Sequence, residues 1–402
     1  MLRYLTAGES HGPALVGIVE GMPAGVPLSP QLITHHLRRR QLGYGRGGRM
    51  KIESDTVRIL SGVRYGYTIG SPVALLIENE AFLRDAANCP HVMSVEPVSD
   101  PAPPVSVPRP GHADLVGWQK YGFSDIRPVI ERASARETAM RVACGSVARA
   151  LLEALGVEVG SHVVQIGSVG YPDRAHLDRL LDPLLRRGAW AVSEAADASP
   201  VRCLDPDLSA QMVQQIEEAK RRRDSLGGVF EVWVTGLPPG LGSYVHWDRK
   251  LDGRLAQALM SIQAIKGVEV GYGFELAGRY GSEAHDEILI REGRFSRASN
   301  RAGGIEGGVS TGEPILLRAA MKPIPTIASN ALWTVDVRTR RRVRTRYERS
   351  DICTVPAAAV VGEAAVAFTL AQALLEVTGG DHLEEIRQRF ESLRARFYAG
   401  FA

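Results

Sequence analysis

One order of elements occurs twice in this sequence, and it restricts the fold more than any other feature. Leu15 to Glu20 is apolar enough for a strand, Gly21-Met22-Pro23-Ala24-Gly25 turns, and Ser29-Pro30 opens a helix carrying Leu32, Ile33 and Leu37. Far downstream, Val229 to Val234 alternates like a strand, Gly236-Leu237-Pro238-Pro239-Gly240 turns, and Leu251 to Ile265 has helical periodicity ending at Gly267. Each helix is followed by a glycine-rich stretch and another strand-like run, Val57 to Leu60 in the first case and Val268 to Leu276 in the second. The spacing is too long for a solenoid repeat, so the pattern predicts two related layers of one α+β domain spanning residues 1–402. No stretch has the composition of a flexible linker.

Other segments fill in the scaffold. Asp207 to Arg223 reads as a helix with Leu208, Met212 and Ile216 on one side, closed by Gly227-Gly228. Ile352 to Leu375 is the most apolar run, but Pro356, Glu363 and Gln372 interrupt it, which favours a buried helix over a membrane span. Asp381 to Tyr398 is amphipathic, with Leu383, Ile386, Phe390 and Leu393 as a core-facing stripe. The proline-rich residues 97–110 and the glycine-rich residues 284–314 read as loops able to cover a site.

Composition narrows the function. A formal net charge of +3 over 402 residues argues against a general nucleic-acid coat, and 6% aromatic content leaves few platforms for stacking bases. Cys89, Cys144, Cys203 and Cys353 are scattered, without disulfide or zinc spacing, and no signal peptide precedes the first strand, so a reducing cytoplasm is expected and no metal. No Rossmann, P-loop or nucleophile-elbow motif is present.

What remains is arginine, histidine and glycine. In Arg132-Ala133-Ser134-Ala135-Arg136-Glu137, Ser134 and Glu137 have capping-box spacing, which predicts a helix start there with Arg132 and Arg136 flanking its N-terminus as an anion site. Arg38, Arg39, Arg40, Arg46 and Arg49 surround Leu42-Gly43-Tyr44-Gly45-Arg46-Gly47-Gly48 as an anion clamp. Two histidines sit between or beside glycines, in Gly8-Glu9-Ser10-His11-Gly12 and in Arg109-Pro110-Gly111-His112-Ala113-Asp114, where proton transfer or phosphate contact suits them. The seven arginines of Arg338 to Arg349 read as a solvated face or a subunit contact, except that Arg349-Ser350-Asp351 abuts the apolar helix. From the residues alone, the chain is an enzyme or binding protein for a small polyanion.

Nine ordered motifs carry a closer resemblance. They are A-G-E-S-H-G at 7–12, the arginine- and glycine-rich segment from Arg39 to Met50, R-P-G-H-A-D at 109–114, E-R-A-S-A-R-E-T at 131–138, D-S-L-G-G at 224–228, I-Q-A-I-K-G-V-E at 262–269, N-R-A-G-G-I-E-G-G at 300–308, M-K-P-I-P-T at 321–326 and R-S-D-I-C-T-V-P-A at 349–357. Together the chain resembles chorismate synthase. Ser310-Thr311-Gly312 departs from that family, which more often has Asn before the glycine.

The resemblance implies a sandwich of central helices between two antiparallel sheets, assembled as a homotetramer. It implies a lyase that converts 5-enolpyruvylshikimate 3-phosphate to chorismate and phosphate with reduced FMN, with NADPH as a source of reductant. Arg132, Ala133, Ser134, Gln263, Ala264, Gly307, Lys322, Pro323, Ile324, Pro325, Thr326 and Arg349 match its FMN-contacting positions. Arg40 and Arg46 match positions for substrate or NADP, and Ser10, Arg109 and Arg136 join them as candidate substrate contacts. His112 is expected to protonate the departing phosphate, His11 to govern the protonation of reduced flavin, and Asp351 to assist removal of the C6 proton. An ordinary flavin oxidoreductase would instead consume NADPH in every turnover, and an RNA-binding protein would bind RNA without turnover. No nucleic-acid or membrane partner is expected.

Overall fold

The computed structural model describes residues 1–47, 54–80, 82, 92–291, 293–327, 332–345 and 351–398. Within them the repeated order becomes a repeated topology. Arg3–Ala7, Ala14–Glu20, Val73–Glu78 and Arg58–Ile59 lie side by side as an antiparallel sheet in the order first, second, fourth, third. Glu158–Ile166, Gly228–Thr235, Ile315–Met321 and Ile265–Val270 repeat that order in a second antiparallel sheet, which Val169–Gly170 extends by one short strand. In each unit a helix, Pro30–Gln41 or Leu251–Met260, stands between the second and third strands. A long helix, Thr138–Ala154 or Val355–Thr378, follows each unit.

These helices form the middle layer of an α+β sandwich. Gly17 in the first sheet lets Met140 and Cys144 approach its backbone, while Gly362 on the other long helix meets Phe230 and Val232 of the second sheet. The two long helices meet at Gly145, where an added Cβ would stand 2.5 Å from Ala364 Cβ. One hydrophobic core runs through all three layers. Val355–Thr378 is long and apolar enough to cross a membrane, but 83% of its apolar window is buried in the protein, as in a core helix.

A charge sits inside this layer. Glu363 is 1% exposed and accepts from Arg39 through both oxygens at 2.7 and 2.8 Å, from Arg149 at 2.7 Å, and from the Ser161 and Ser193 hydroxyls at 2.5 and 2.8 Å. Burial opposes its ionisation, yet the surrounding Arg39, Arg149 and Arg202 guanidiniums hold its pKa well below the ordinary carboxylate range. His36, beside them, is pushed down to about 2 by burial and the same positive field, and stays neutral.

Several local expectations change. The helix expected over Leu251 to Ile265 ends at Met260, because Ile265–Val270 pairs with Ile315–Met321 and starts the strand earlier than Val268. Pro206–Arg222 closes on Arg223 itself, which adopts a left-handed φ of 55°, so Gly227-Gly228 is not the cap. Those glycines instead allow close backbone approach, since a Cβ on Gly227 would sit 2.2 Å from the Met321 carbonyl oxygen. Residues 97–110 are loop, but 284–314 contain two hairpins, Ile288–Arg291 with Arg294–Arg297 and Ile305–Glu306 with Val309–Ser310. Leu383, Ile386, Phe390 and Leu393 are buried as expected.

Removing the charge of Glu363 while keeping its shape leaves three buried guanidiniums without their shared anion. Glu363→Gln is expected to lower unfolding free energy by about 3–5 kcal/mol, read as a shift in the denaturant midpoint. An unchanged midpoint would contradict the role given to this cluster.

Candidate active site

The turn Gly8–Gly12 joins the first two strands and is held from three sides. Asn79 donates to the Glu9 and Gly12 carbonyls at 3.1 and 2.7 Å, Ser10 N donates to Glu131 O at 3.2 Å, and Ser134 Oγ donates to Ser10 Oγ at 3.2 Å. His11 donates its backbone N–H to Glu131 Oε2 at 2.9 Å, and its Nδ1 lies 2.8 Å from the same oxygen. Glu131 is ionised: burial would raise its pKa, but the hydrogen bonds from His11 outweigh it and lower it. A carboxylate only accepts, so His11 Nδ1 carries the proton and Nε2 is left as its second acid–base atom.

The second histidine is built alike. His112 Nδ1 hydrogen-bonds Asp114 Oδ1, and Arg109 donates to the same carboxylate through Nε at 2.8 Å and its backbone N at 3.0 Å. Burial opposes the Asp114 charge, but His112 and Arg109 overcome it and hold the carboxyl well below its usual range. Lys322 Nζ then donates to Gly111 O at 2.5 Å, which ties this turn to the 322–326 loop.

Several of the other predicted residues join these two turns in a chain of contacts. Lys322 N donates to Ala264 O at 2.9 Å, and Gln263 Nε2 donates to Glu137 Oε2 at 2.9 Å. Thr6 Oγ1 donates to Glu137 Oε1 at 3.1 Å, while Arg132 donates to the Thr6 and Gly8 carbonyls. Arg40 donates to Thr138 Oγ1 and Ala135 O, and Asp55 stands between Arg40 at 3.4 Å and Arg136 at 2.5 Å. Asp351 accepts from Gly47 N at 2.5 Å and pairs with Arg46 at 3.1 Å. Burial, with Arg46 and Arg136 nearby and Asp55 only partly opposing, pushes Arg40 down to about 10, so it remains a cation at neutral pH.

Three expectations are corrected here. Ser134 caps a single 3-10 turn, Ala135–Glu137, and the long helix begins at Thr138 after a separate helix Arg127–Ala133. No reciprocal capping box forms, because the Glu137 carboxylate is taken by Thr6, Arg141 and Gln263. Arg132 and Arg136 therefore do not converge on one helix N-terminus, since one turns to the Thr6–Gly8 carbonyls and the other to Asp55 and Asn79. The arginine clamp also divides: Arg38 is exposed, Arg39 is spent on Glu363, and Arg40 and Arg46 enter the site. Arg49 and Arg349 lie outside the described residues. Gly307 sits in the Ile305–Ser310 hairpin, and no described hydrogen bond links it to this chain of contacts.

Sequence reading passed over Asp55, Asn79 and Glu131 and gave Glu137 only a capping role. Glu131 and Glu137 lie inside a quoted motif and were readable there, whereas only the fold brings Asp55 and Asn79 to Arg136. A separate cavity of about 610 Å³ is lined by Leu276, Ala277, Arg279, His285, Asp286 and Ile288. Arg279 there is paired with Glu275, Asp286 with Ser299 and Glu306 with Arg297, and of the predicted residues only Gly307, next to Glu306, comes near it. The predicted residues gather instead in the arginine and histidine cluster.

Comparison with known proteins gives the family. The profile of the chorismate synthase family matches residues 2–375. Proteins named chorismate synthase from Salinibacter ruber and Chlorobaculum tepidum are each 55% identical, over 98% of this chain and 99% and 98% of theirs. A crystal structure of chorismate synthase, 43% identical, superposes with a TM-score of 0.77 over 99% of both chains. The chain belongs to the chorismate synthase family. It is thus an enzyme of aromatic biosynthesis, a lyase that forms chorismate, and the expected sandwich fold is the fold of the family's solved structure.

The Asp114 contacts make a pH-dependent prediction. Its folded pKa is depressed, so its stabilisation is complete above the unfolded value of about 3.9 and is lost as pH falls through the folded value. The denaturant midpoint of Asp114→Asn should lie below that of the wild type by a constant amount above about pH 5, and the gap should narrow progressively as pH falls below about 4 toward the depressed folded value. A gap that does not narrow below about pH 4 would contradict the assignment.

Proposed function

We propose that this chain converts 5-enolpyruvylshikimate 3-phosphate to chorismate and phosphate by a 1,4-elimination that requires reduced FMN. The observation that carries the reading is the pair of carboxylate-held histidines, His11 with Glu131 and His112 with Asp114, set among Arg40, Arg46, Arg109 and Arg136. A substrate with one phosphate and two carboxylates needs several fixed cations, and preorganised guanidiniums stabilise the charge on a leaving phosphate.

The residues at the expected FMN positions suit a flavin. Gln263 Nε2 is committed to Glu137, which leaves Gln263 Oε1 buried without a hydrogen-bond partner among the described residues, an acceptor suited to an N–H of a flat heterocycle. Ala264 beside it holds a left-handed φ of 68°, a conformation alanine rarely adopts outside functional sites. Arg132, Ala133, Ser134, Gln263, Ala264, Gly307, Lys322 to Thr326 and Arg349 are the residues that would hold the cofactor. Reduced FMN, when bound, supplies electron density that eases C–O cleavage.

The protein's own part is binding and proton handling. Arg40, Arg136 and Arg46, oriented by Asp55 and Asp351, bind the anionic groups, with Ser10 and Arg109 completing the contacts. His112, its Nδ1 fixed by Asp114, presents Nε2 as the atom that holds a proton for the departing phosphate. His11, fixed likewise by Glu131, keeps a second proton near the cofactor positions, and Asp351 supports removal of the C6 proton. We further propose NADPH as the source of reductant, with Arg40 and Arg46 near its path, a cytoplasmic homotetramer of single-domain chains, and no nucleic-acid or membrane partner.

Phosphate release under anaerobic conditions tests the reading. Phosphate and chorismate should appear with chemically reduced FMN and not with oxidised FMN, and folded protein inactive in both would sink the proposal. His112→Ala should lower kcat by about 10²–10⁴-fold with FMN affinity nearly unchanged. Equal turnover would remove His112 from the proton transfer.

A further inference from the structure

The arginine-rich segment is not a remote face. Trp333–Val335 and Arg342–Arg344 form a hairpin whose turn is closed by Asp336, which accepts from Arg338 N and Thr339 N at 2.9 and 3.0 Å. Thr334 Oγ1 donates to Pro108 O at 2.7 Å, Val337 N donates to Ser106 O at 2.9 Å, and Ser106 Oγ donates to Asp336 at 3.1 Å. The hairpin is thereby fastened to residues 106–108, which lead directly into the Arg109–His112 turn. In sequence it lies between Thr326 and Asp351, both among the predicted site residues.

Register decides which way its charge points. Side chains alternate across a strand, so Thr334 and Val343 face residues 106–108, while Trp333, Val335, Arg342 and Arg344 share the opposite face. Arg342 and Arg344 both stack on Trp333, each 4.0 Å from the ring centroid, which keeps two guanidiniums fixed on that face. Arg340 and Arg341 project from the turn, are exposed, and have no ion pair among the described residues. Five arginines against one aspartate between residues 336 and 344 give this short segment a larger positive charge than the +3 net charge of the entire chain.

We propose that this hairpin is an electrostatic docking surface that collects small polyanions, the phosphorylated dicarboxylate substrate first among them, and delivers them to the adjacent cleft. The proposal rests on the reading above for the identity of the substrate, while the collecting surface itself is a property of the hairpin. Such a field raises encounter rates by about 10–10³-fold at low ionic strength and fades as the Debye length shrinks to a few ångströms. Exposed arginines such as Arg340 and Arg341, with no ion pair among the described residues, suit this task better than a tight contact site, because nothing desolvates the ligand there.

The test uses the full chain carrying Arg340→Gln and Arg341→Gln together, two residues outside the proposed catalytic and binding machinery. At low salt, kcat/KM should fall about 10-fold with kcat within about 2-fold of wild type, and the two proteins should converge near 0.5 M salt. An unchanged kcat/KM at low salt, or a loss that persists at high salt, would overturn the proposal. In parallel, anisotropy of the fluorescent trisulfonate pyranine should report salt-sensitive binding to wild type that the double variant loses. This arm holds even if the substrate assignment fails, and pyranine binding unaffected by the substitutions would equally overturn the proposal. A single-stranded RNA bound tightly through the same arginines, with turnover untouched by the substitutions, would show a nucleic-acid surface instead and also overturn it.

Discussion

The buried Glu363 carboxylate is the constraint on which the rest of the molecule depends. It joins Arg39 on the first helix, Arg149 on one long helix and Ser161 on the second sheet, while itself lying on the other long helix. Apolar packing alone fixes the distance between layers but leaves helices free to rotate or slide by small amounts, since many apolar surfaces fit nearly equally well. A bidentate arginine contact does not allow that freedom. Because Arg39 is anchored inward, its neighbour Arg40 is aimed toward Thr138 and Asp55, and the first helix delivers one arginine to the core and the next to the site.

The same device recurs at the site in a different use. Each cationic or imidazole group of interest is held by a carboxylate: Arg40 and Arg136 by Asp55, Arg46 by Asp351, His11 by Glu131, His112 and Arg109 by Asp114. These anions offset part of the repulsion among clustered cations and fix their directions before any ligand arrives. Groups oriented in advance need no rearrangement in the transition state, which is where electrostatic catalysis gains its advantage. The hairpin at 333–344 stands in contrast, since Arg340 and Arg341 in its turn have no ion pair among the described residues, as suits the proposed collecting role.

Much of this was legible in the sequence because it depends on local pattern. The duplicated strand, turn and helix order predicted two sheets, and the structure adds that both have the same strand order, which periodicity cannot reveal because register between distant strands is a tertiary property. Ser29-Pro30 marked a real helix start, whereas Ser134 and Glu137 had equally good spacing and did not form the box, since tertiary partners drew the Glu137 carboxylate away. His11 and His112 could be singled out by their glycines, but Asp55 and Asn79, lying in unremarkable surroundings, are identified only by what the fold places beside them. The run of arginines at 38–40 reads as one patch, yet helical geometry sends its members to solvent, core and site in turn.

The account stands on the cluster around Asp55, Asp114 and Glu131 being the place where substrate binds. A crystal structure of the protein soaked with oxidised FMN and 5-enolpyruvylshikimate 3-phosphate tests this most directly. The account predicts substrate oxygens within hydrogen-bond distance of Arg40 and Arg136 and its phosphate beside His112. Substrate bound instead in the cavity lined by Leu276, Arg279 and His285, with the Asp55 cluster unchanged, would contradict it.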